Sequence, residues 1–137
     1  MKEGWHNDQH YILYESKEEC EIATKDYEIA QSLSDQYIVG LLGWDYFILC
    51  SLTSEYTTVP TVPLIPKEQQ PFQFPSGPMT LEADPRYENK IKWYIKPIIF
   101  GGSPEDQTNI QWVTHEQHRD LVKYWNNLYR NLTNKGR

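Results

Sequence analysis

Hydrophobic and polar positions change their spacing several times along the chain, and each change marks an element. Tyr11-Ile12-Leu13-Tyr14 is a run of β-forming residues stopped at Glu15-Ser16, and it reads as a short strand. Ser16 with Glu19 three residues on is a capping box, and Cys20, Ala23, Tyr27 and Ala30 follow at helical spacing, joined by Ile22, Ile29 and Leu33. The spacing predicts a helix over residues 17–33, with Glu18, Glu21, Lys25, Asp26 and Glu28 on its polar face. Two apolar runs, residues 37–42 and 44–52, surround Gly43 without helix caps and read as a hairpin.

Prolines then take over. Pro60, Pro63, Pro66, Pro71, Pro75, Pro78 and Pro85 each lack a backbone donor and hold φ fixed, which leaves room only for edge segments and turns. Alternation returns at Ile91, Trp93 and Ile95 and continues at residues 98–100, a predicted strand interrupted at Pro97. Gly101-Gly102-Ser103-Pro104 is a turn cluster, and residues 110–113 are short and extended. Thr114 and Gln117 form a second capping box, opening a helix whose apolar stripe is Leu121, Val122, Trp125, Leu128, Tyr129 and Leu132. Arg119, Asp120, Lys123, Asn126, Asn127 and Arg130 are expected to face water, and residues 131–137 to fray.

This order of elements predicts one α+β domain over residues 1–137: an antiparallel sheet with an N-terminal and a C-terminal helix packed against it. An arrangement with the helices at opposite ends of the sheet fits the same order. The chain's 137 residues suit one core, and 19 aromatic residues supply enough apolar surface to fold it.

The N-terminus lacks an apolar signal segment, and no window approaches a membrane span, so a cytoplasmic protein with no membrane partner is expected. Cys20 and Cys50 then read as reduced, buried thiols, with a disulfide as the alternative.

Charge is uneven. Residues 1–60 carry 11 acidic and 3 basic side chains, whereas residues 61–137 carry 8 acidic and 10 basic, and the total is −6. That sign argues against nucleic acid as a partner. A patch built from Glu18, Glu21, Asp26, Glu28, Asp35, Asp45 and Glu55 would suit a basic protein partner, and a merely solvated acidic face is the alternative.

Catalytic chemistry finds little support. No nucleophile elbow, phosphate loop or dinucleotide fingerprint is present, and neither cysteine lies in a setting that would lower its pKa. His6 with His10 and His115 with His118 have spacings that allow a shared helix face, but each pair lacks the further ligands of a zinc site. No catalytic residue, metal or cofactor is expected.

The segment from Pro97-Ile98-Ile99-Phe100-Gly101-Gly102-Ser103-Pro104 through Asn109-Ile110-Gln111-Trp112, followed by His118 and Trp125-Asn126, resembles a pattern in small bacterial immunity proteins of polymorphic toxin systems. Residues 38–47 resemble the sheet of SUKH-type immunity proteins, without the glycine-rich turn found there. The resemblance implies an antidote, a monomer or weak homodimer, that binds a cognate toxin domain, such as a cationic nuclease, and occludes its active site without catalysis. It also implies that Asn109, Trp112, His118, Trp125 and Asn126 are scaffold, tying the glycine loop to the helix. A cytosolic adaptor is the alternative, favoured by the PxxP spacing of Pro60-Thr61-Val62-Pro63.

Overall fold

The computed structural model describes residues 1–135. The chain begins with a strand that the hydrophobic pattern did not announce. Strand β1 (Lys2–His6) pairs antiparallel with β2 (Gln9–Leu13) through the two-residue turn Asn7-Asp8. Both turn residues have positive φ, 49° and 64°, the geometry that matches the twist of a two-residue hairpin. Helix α1 (Lys17–Asp26) follows, and then β3 (Gln36–Leu42), β4 (Tyr46–Ser51), β5 (Tyr56–Pro60) and the two-residue β6 (Gln70–Pro71) complete a six-stranded antiparallel sheet in chain order. A separate hairpin pairs β7 (Ile91–Tyr94) with β8 (Ile110–Val113), and α2 (His115–Lys135) closes the described chain. The fold is therefore α+β, with two helices packed on antiparallel sheet.

Helix α1 starts where its capping box places it. The Ser16 hydroxyl accepts from the Glu19 N–H at 3.0 Å, and the Glu19 carboxylate accepts from Ser16 and Glu15 N–H at 3.3 and 2.9 Å. It stops at Asp26, seven residues short of the predicted end. Tyr27 and Ile29 are both buried, at 1% and 0% exposure, and residues two apart on a helix point to opposite sides. The chain resolves the conflict by a left-handed residue at Glu28 (φ 56°), after which residues Ile29–Gln31 form a 3₁₀ turn. Ile22, counted with the apolar stripe, is instead 49% exposed.

Residues Ile98–Phe100 form a 3₁₀ turn in place of the predicted strand, because Pro97 has no N–H to continue the ladder. Asn109 takes over as a side-chain rung. Its carboxamide accepts from Lys96 N–H at 2.8 Å and donates to the Lys96 carbonyl at 3.0 Å and the Ser103 carbonyl at 3.2 Å. Gly102 lies so close to this rung that a Cβ there would sit 1.7 Å from the Lys96 carbonyl oxygen.

Both capping-box bonds of Thr114 and Gln117 are present, and α2 continues through Lys135, so the fraying expected from residue 131 is not found there; residues 136 and 137 lie outside the described chain. Its inward stripe is more polar than the pattern suggested. His118, Val122 and Asn126 are buried, at 0%, 0% and 3% exposure, while Leu121 and Trp125 flank them and Leu132 is exposed. Asn126, expected to face water, has its reason in the proline-rich segment: its carboxamide accepts from Leu64 N–H at 2.9 Å and donates to the Thr61 carbonyl at 2.8 Å, two backbone groups with no strand to pair with.

The core joins Ile12, Tyr27, Ile29, Ile38, Leu41, Phe47, Leu49 and Val59 with Ile91, Trp93 and Val113 of the hairpin and Val122 of α2. Tyr11, Ile48 and Cys50 alternate with core-facing neighbours, yet they too are buried, so the second face of the sheet is also covered. Residues 72–82 supply a strap there. Phe72 N–H bonds Tyr56 beside β6, and Glu82 exchanges two backbone bonds with Trp5 of β1, so this stretch runs between the opposite edges of the sheet. Phe74 packs edge-on against Tyr56, with ring centroids 5.0 Å apart.

Candidate functional site

The sheet presents two ends with different chemistry. At one, Gln36 pairs with Ser51, and Asp35 and Glu55 stand in the adjoining turns. Helix α1 lies along the part of β3 that β2 does not reach: the Thr24 hydroxyl accepts from Ile38 N–H at 2.9 Å, and Tyr14 N–H donates to the Val39 carbonyl at 3.0 Å. Glu18, Glu21 and Glu28 of this helix and its exit, with Asp35 and Glu55, are all exposed. Among the described residues the one ion pair in this set is Lys17–Glu21, at 3.9 Å across one helical turn. The same elements also expose apolar side chains: Ile22 on α1, Leu52 in the β4–β5 turn, and Tyr37 and Tyr56 on either side of Cys50.

The other two predicted residues stand apart. Asp26 is half-buried in a salt bridge with Arg119 of α2, so its charge is already answered. Asp45 is at the opposite end of β4, about 17 Å away by strand length, in the turn before Tyr46. Five of the seven carboxylates are thus exposed, whereas Asp26 is paired with Arg119 and Asp45 with Lys92.

Asp45 belongs to a groove that the sequence reading did not find. Strand β7 places Lys92 and Tyr94 beside it. The Lys92 ammonium donates to Asp45 Oδ2 at 3.0 Å and the Tyr94 hydroxyl donates to the same oxygen at 3.3 Å. One wall is Pro60-Thr61-Val62-Pro63, held by Asn126; the other is Pro97-Ile98-Ile99, turned by the 3₁₀ segment; Glu68 and Tyr46 stand at the rim. The cavity measures about 370 Å³. Burial pushes the Asp45 carboxyl above the ordinary carboxylate range, outweighing the pull of Lys92. Burial acts downward on Lys92, and the charge and hydrogen bond of Asp45 more than offset it, so the amine is held above its ordinary value. Ile98, Ile99 and Tyr46 are 51%, 50% and 45% exposed, an apolar rim open to solvent. The clue available in the sequence was Pro97, which ends the strand and turns two isoleucines outward.

The histidines occupy separate settings. His10 stacks on Trp44, with centroids 4.2 Å apart, while His6 occupies the neighbouring strand position and lies on the other side of the hairpin. His115 faces Glu3 at 3.9 Å, and His118 Nδ1 lies 2.7 Å from the Tyr27 hydroxyl. Among the described residues no three His, Cys, Asp or Glu side chains are placed to share a metal ion. Cys20 and Cys50 are free and buried, and burial holds the Cys20 thiol above its usual pKa.

Of the residues assigned a scaffold role, Asn109 braces the glycine loop, His118 and Asn126 are buried and hydrogen-bonded, and Trp125 packs on Phe100 at 5.0 Å, joining that loop to α2. Trp112 lies elsewhere, stacked on Tyr87 at 4.5 Å and edge-on to Trp44 at 5.1 Å. In the PxxP segment Thr61 and Pro63 are buried, while Pro60 and Val62 are half-buried. Among the described residues no helix is long and apolar enough to cross a membrane. Comparison with protein families, curated proteins and solved structures returns no match.

Proposed function

We propose that this protein is a cytoplasmic immunity protein: it binds the cationic toxin domain of a polymorphic toxin and occludes that domain's active site, with no catalysis of its own. The observation that carries the reading is that α1, its exit and the turns flanking β3 and β5 expose Glu18, Glu21, Glu28, Asp35 and Glu55 together with the apolar side chains Ile22, Tyr37, Leu52 and Tyr56. Acidic side chains that are largely unpaired attract and orient a basic partner, and the apolar residues exposed with them supply area that leaves water on contact. The resemblance of residues 97–126 to immunity proteins gives the partner its class.

The test is protection of cells that co-express the cognate toxin domain with this protein. Replacing Glu18, Glu21, Glu28 and Asp35 by Lys leaves the core untouched, so the variant folds, loses protection, and associates with the toxin more slowly, above all at low salt. Full protection by a folded variant places the interface elsewhere and rejects the reading.

A further inference from the structure

We propose that the groove between Pro60–Pro63 and Pro97–Ile99 is a second contact site that receives one basic side chain, flanked by aliphatic residues, from the partner protein. The inference rests on the reading that the partner is a cationic protein, and it concerns a different place on the surface.

Three observations define the occupant. First, both donors at Asp45 use Oδ2, and among the described residues no donor reaches Oδ1, which is free to accept from an incoming cation. Second, Glu68 at the rim has no ion pair among the described residues, and with Asp45 and Lys92 it leaves the groove with one net negative charge. Third, the groove is otherwise lined by apolar and aromatic side chains: Val62, Ile98 and Ile99 on the walls, Tyr46 exposed at the rim, and Tyr94, whose ring carries the Lys92 ammonium 5.0 Å from its centroid.

A lysine or arginine suits this combination, because its aliphatic stem packs against the walls while its charged head reaches the carboxylates. An acidic side chain would have to displace Asp45 from Lys92 and face Glu68. A purely apolar side chain would cover Oδ1 and leave it unpaired, a cost that a cation avoids. The groove and the acidic end lie on opposite ends of β4, so a partner touching both is held at two points and cannot pivot on either.

The peptide acetyl-Leu-Arg-Leu-amide is a suitable probe, compared with the same peptide carrying citrulline, which keeps the shape and removes the charge. Titration of the full chain, followed by nuclear magnetic resonance, should give saturable shifts at Tyr46, Val62, Ile98 and Ile99. The citrulline peptide should bind about tenfold more weakly, the loss expected for one charge-assisted hydrogen bond. Glu68→Gln, an exposed change outside the core, should narrow that preference, and Asp45→Asn should abolish it. Equal binding of the two peptides, no saturable shift at low millimolar concentration, or shifts confined to the α1 face would overturn the proposal. Failure here combined with loss of protection in the Lys-substituted α1 variant removes the groove and leaves the immunity reading standing. Intact protection in that variant removes the reading even where the peptide binds.

Discussion

The Tyr27 hydroxyl and His118 Nδ1 meet at 2.7 Å between α1's exit and α2, where both side chains are closed off from solvent. The ring of His118 also meets Trp93 edge-on at 5.6 Å, so one imidazole fastens the first helix, the β7–β8 hairpin and the last helix together. Tyr27→Phe keeps the ring packing and removes the partner of a buried nitrogen. We expect a loss of about 1–3 kcal/mol of stability, measured by urea unfolding, with little change in the far-ultraviolet spectrum.

Acid should weaken the fold through the same ring. Burial lowers His118 to about 3 and His10 to about 4, from 6.5. Between those values and 6.5 the unfolded chain binds protons that the folded chain refuses. Stability therefore falls as the pH drops through this window, by up to about 1.4 kcal/mol per pH unit for each ring. His118→Gln, although less stable at neutral pH, should show the shallower decline when unfolding is followed from neutral pH to about pH 5. A decline as steep as in the natural protein would mean that His118 titrates normally when folded.

Asn126 is the buried polar residue with the clearest cost of removal. Asn126→Ala strands the Leu64 N–H and the Thr61 carbonyl together, and we expect about 2–4 kcal/mol of destabilisation. Trp125→Ala, one residue earlier but only half-buried, should cost less than the usual 3–5 kcal/mol of emptying an aromatic core site, about 2 kcal/mol. Thermal unfolding of the two variants side by side checks the order.

Gly102→Ala places a methyl group 1.7 Å from the Lys96 carbonyl oxygen and 2.8 Å from Asn109 Nδ2. The turn must open, and the Asn109 rung with it. Hydrogen exchange at Lys96 should accelerate strongly, whereas Gly101→Ala, whose nearest neighbour is the flexible Lys96 side chain at 3.7 Å, should leave the rung intact at the cost of a strained φ of 95°.

Elements with local signals were legible in the sequence. The two capping boxes fixed both helix starts, and runs of β-forming residues located β2, β3, β4, β7 and β8. What was missed depended on contacts distant in the chain. Tyr27 and Ile29 had to point into one core, which broke a helix whose spacing was unbroken. Asn126 looked like a solvent residue because its partners are 62 and 65 residues away. Strand β1 had a local sign in Asn7-Asp8, but the apolar side chains that mark a strand are sparse between Lys2 and His6. The candidate site divided in the same way: exposed acidity could be counted along the chain, whereas the neighbourhood of Asp45 and Lys92 arises only when two sheets meet.

The strap of residues 72–82 changes how this sheet can be opened. Its two ends are about 29 Å apart, six strand spacings from β6 to the Glu82 backbone beyond β1, and ten extended residues reach about 33 Å, so the span is made with little slack. The Glu82 backbone occupies the outer edge of β1, and a Cβ on Gly4 would lie 2.5 Å from its carbonyl oxygen, which leaves no room for an intruding chain. At the far edge β6 is two residues long and ends in a proline that has no donor to offer. The sheet is in effect buckled like a belt. The N-terminal hairpin cannot peel away alone, the amides of Trp5 and Glu82 should exchange with solvent as a pair, and a visiting protein must engage the surface of this molecule without lengthening its sheet.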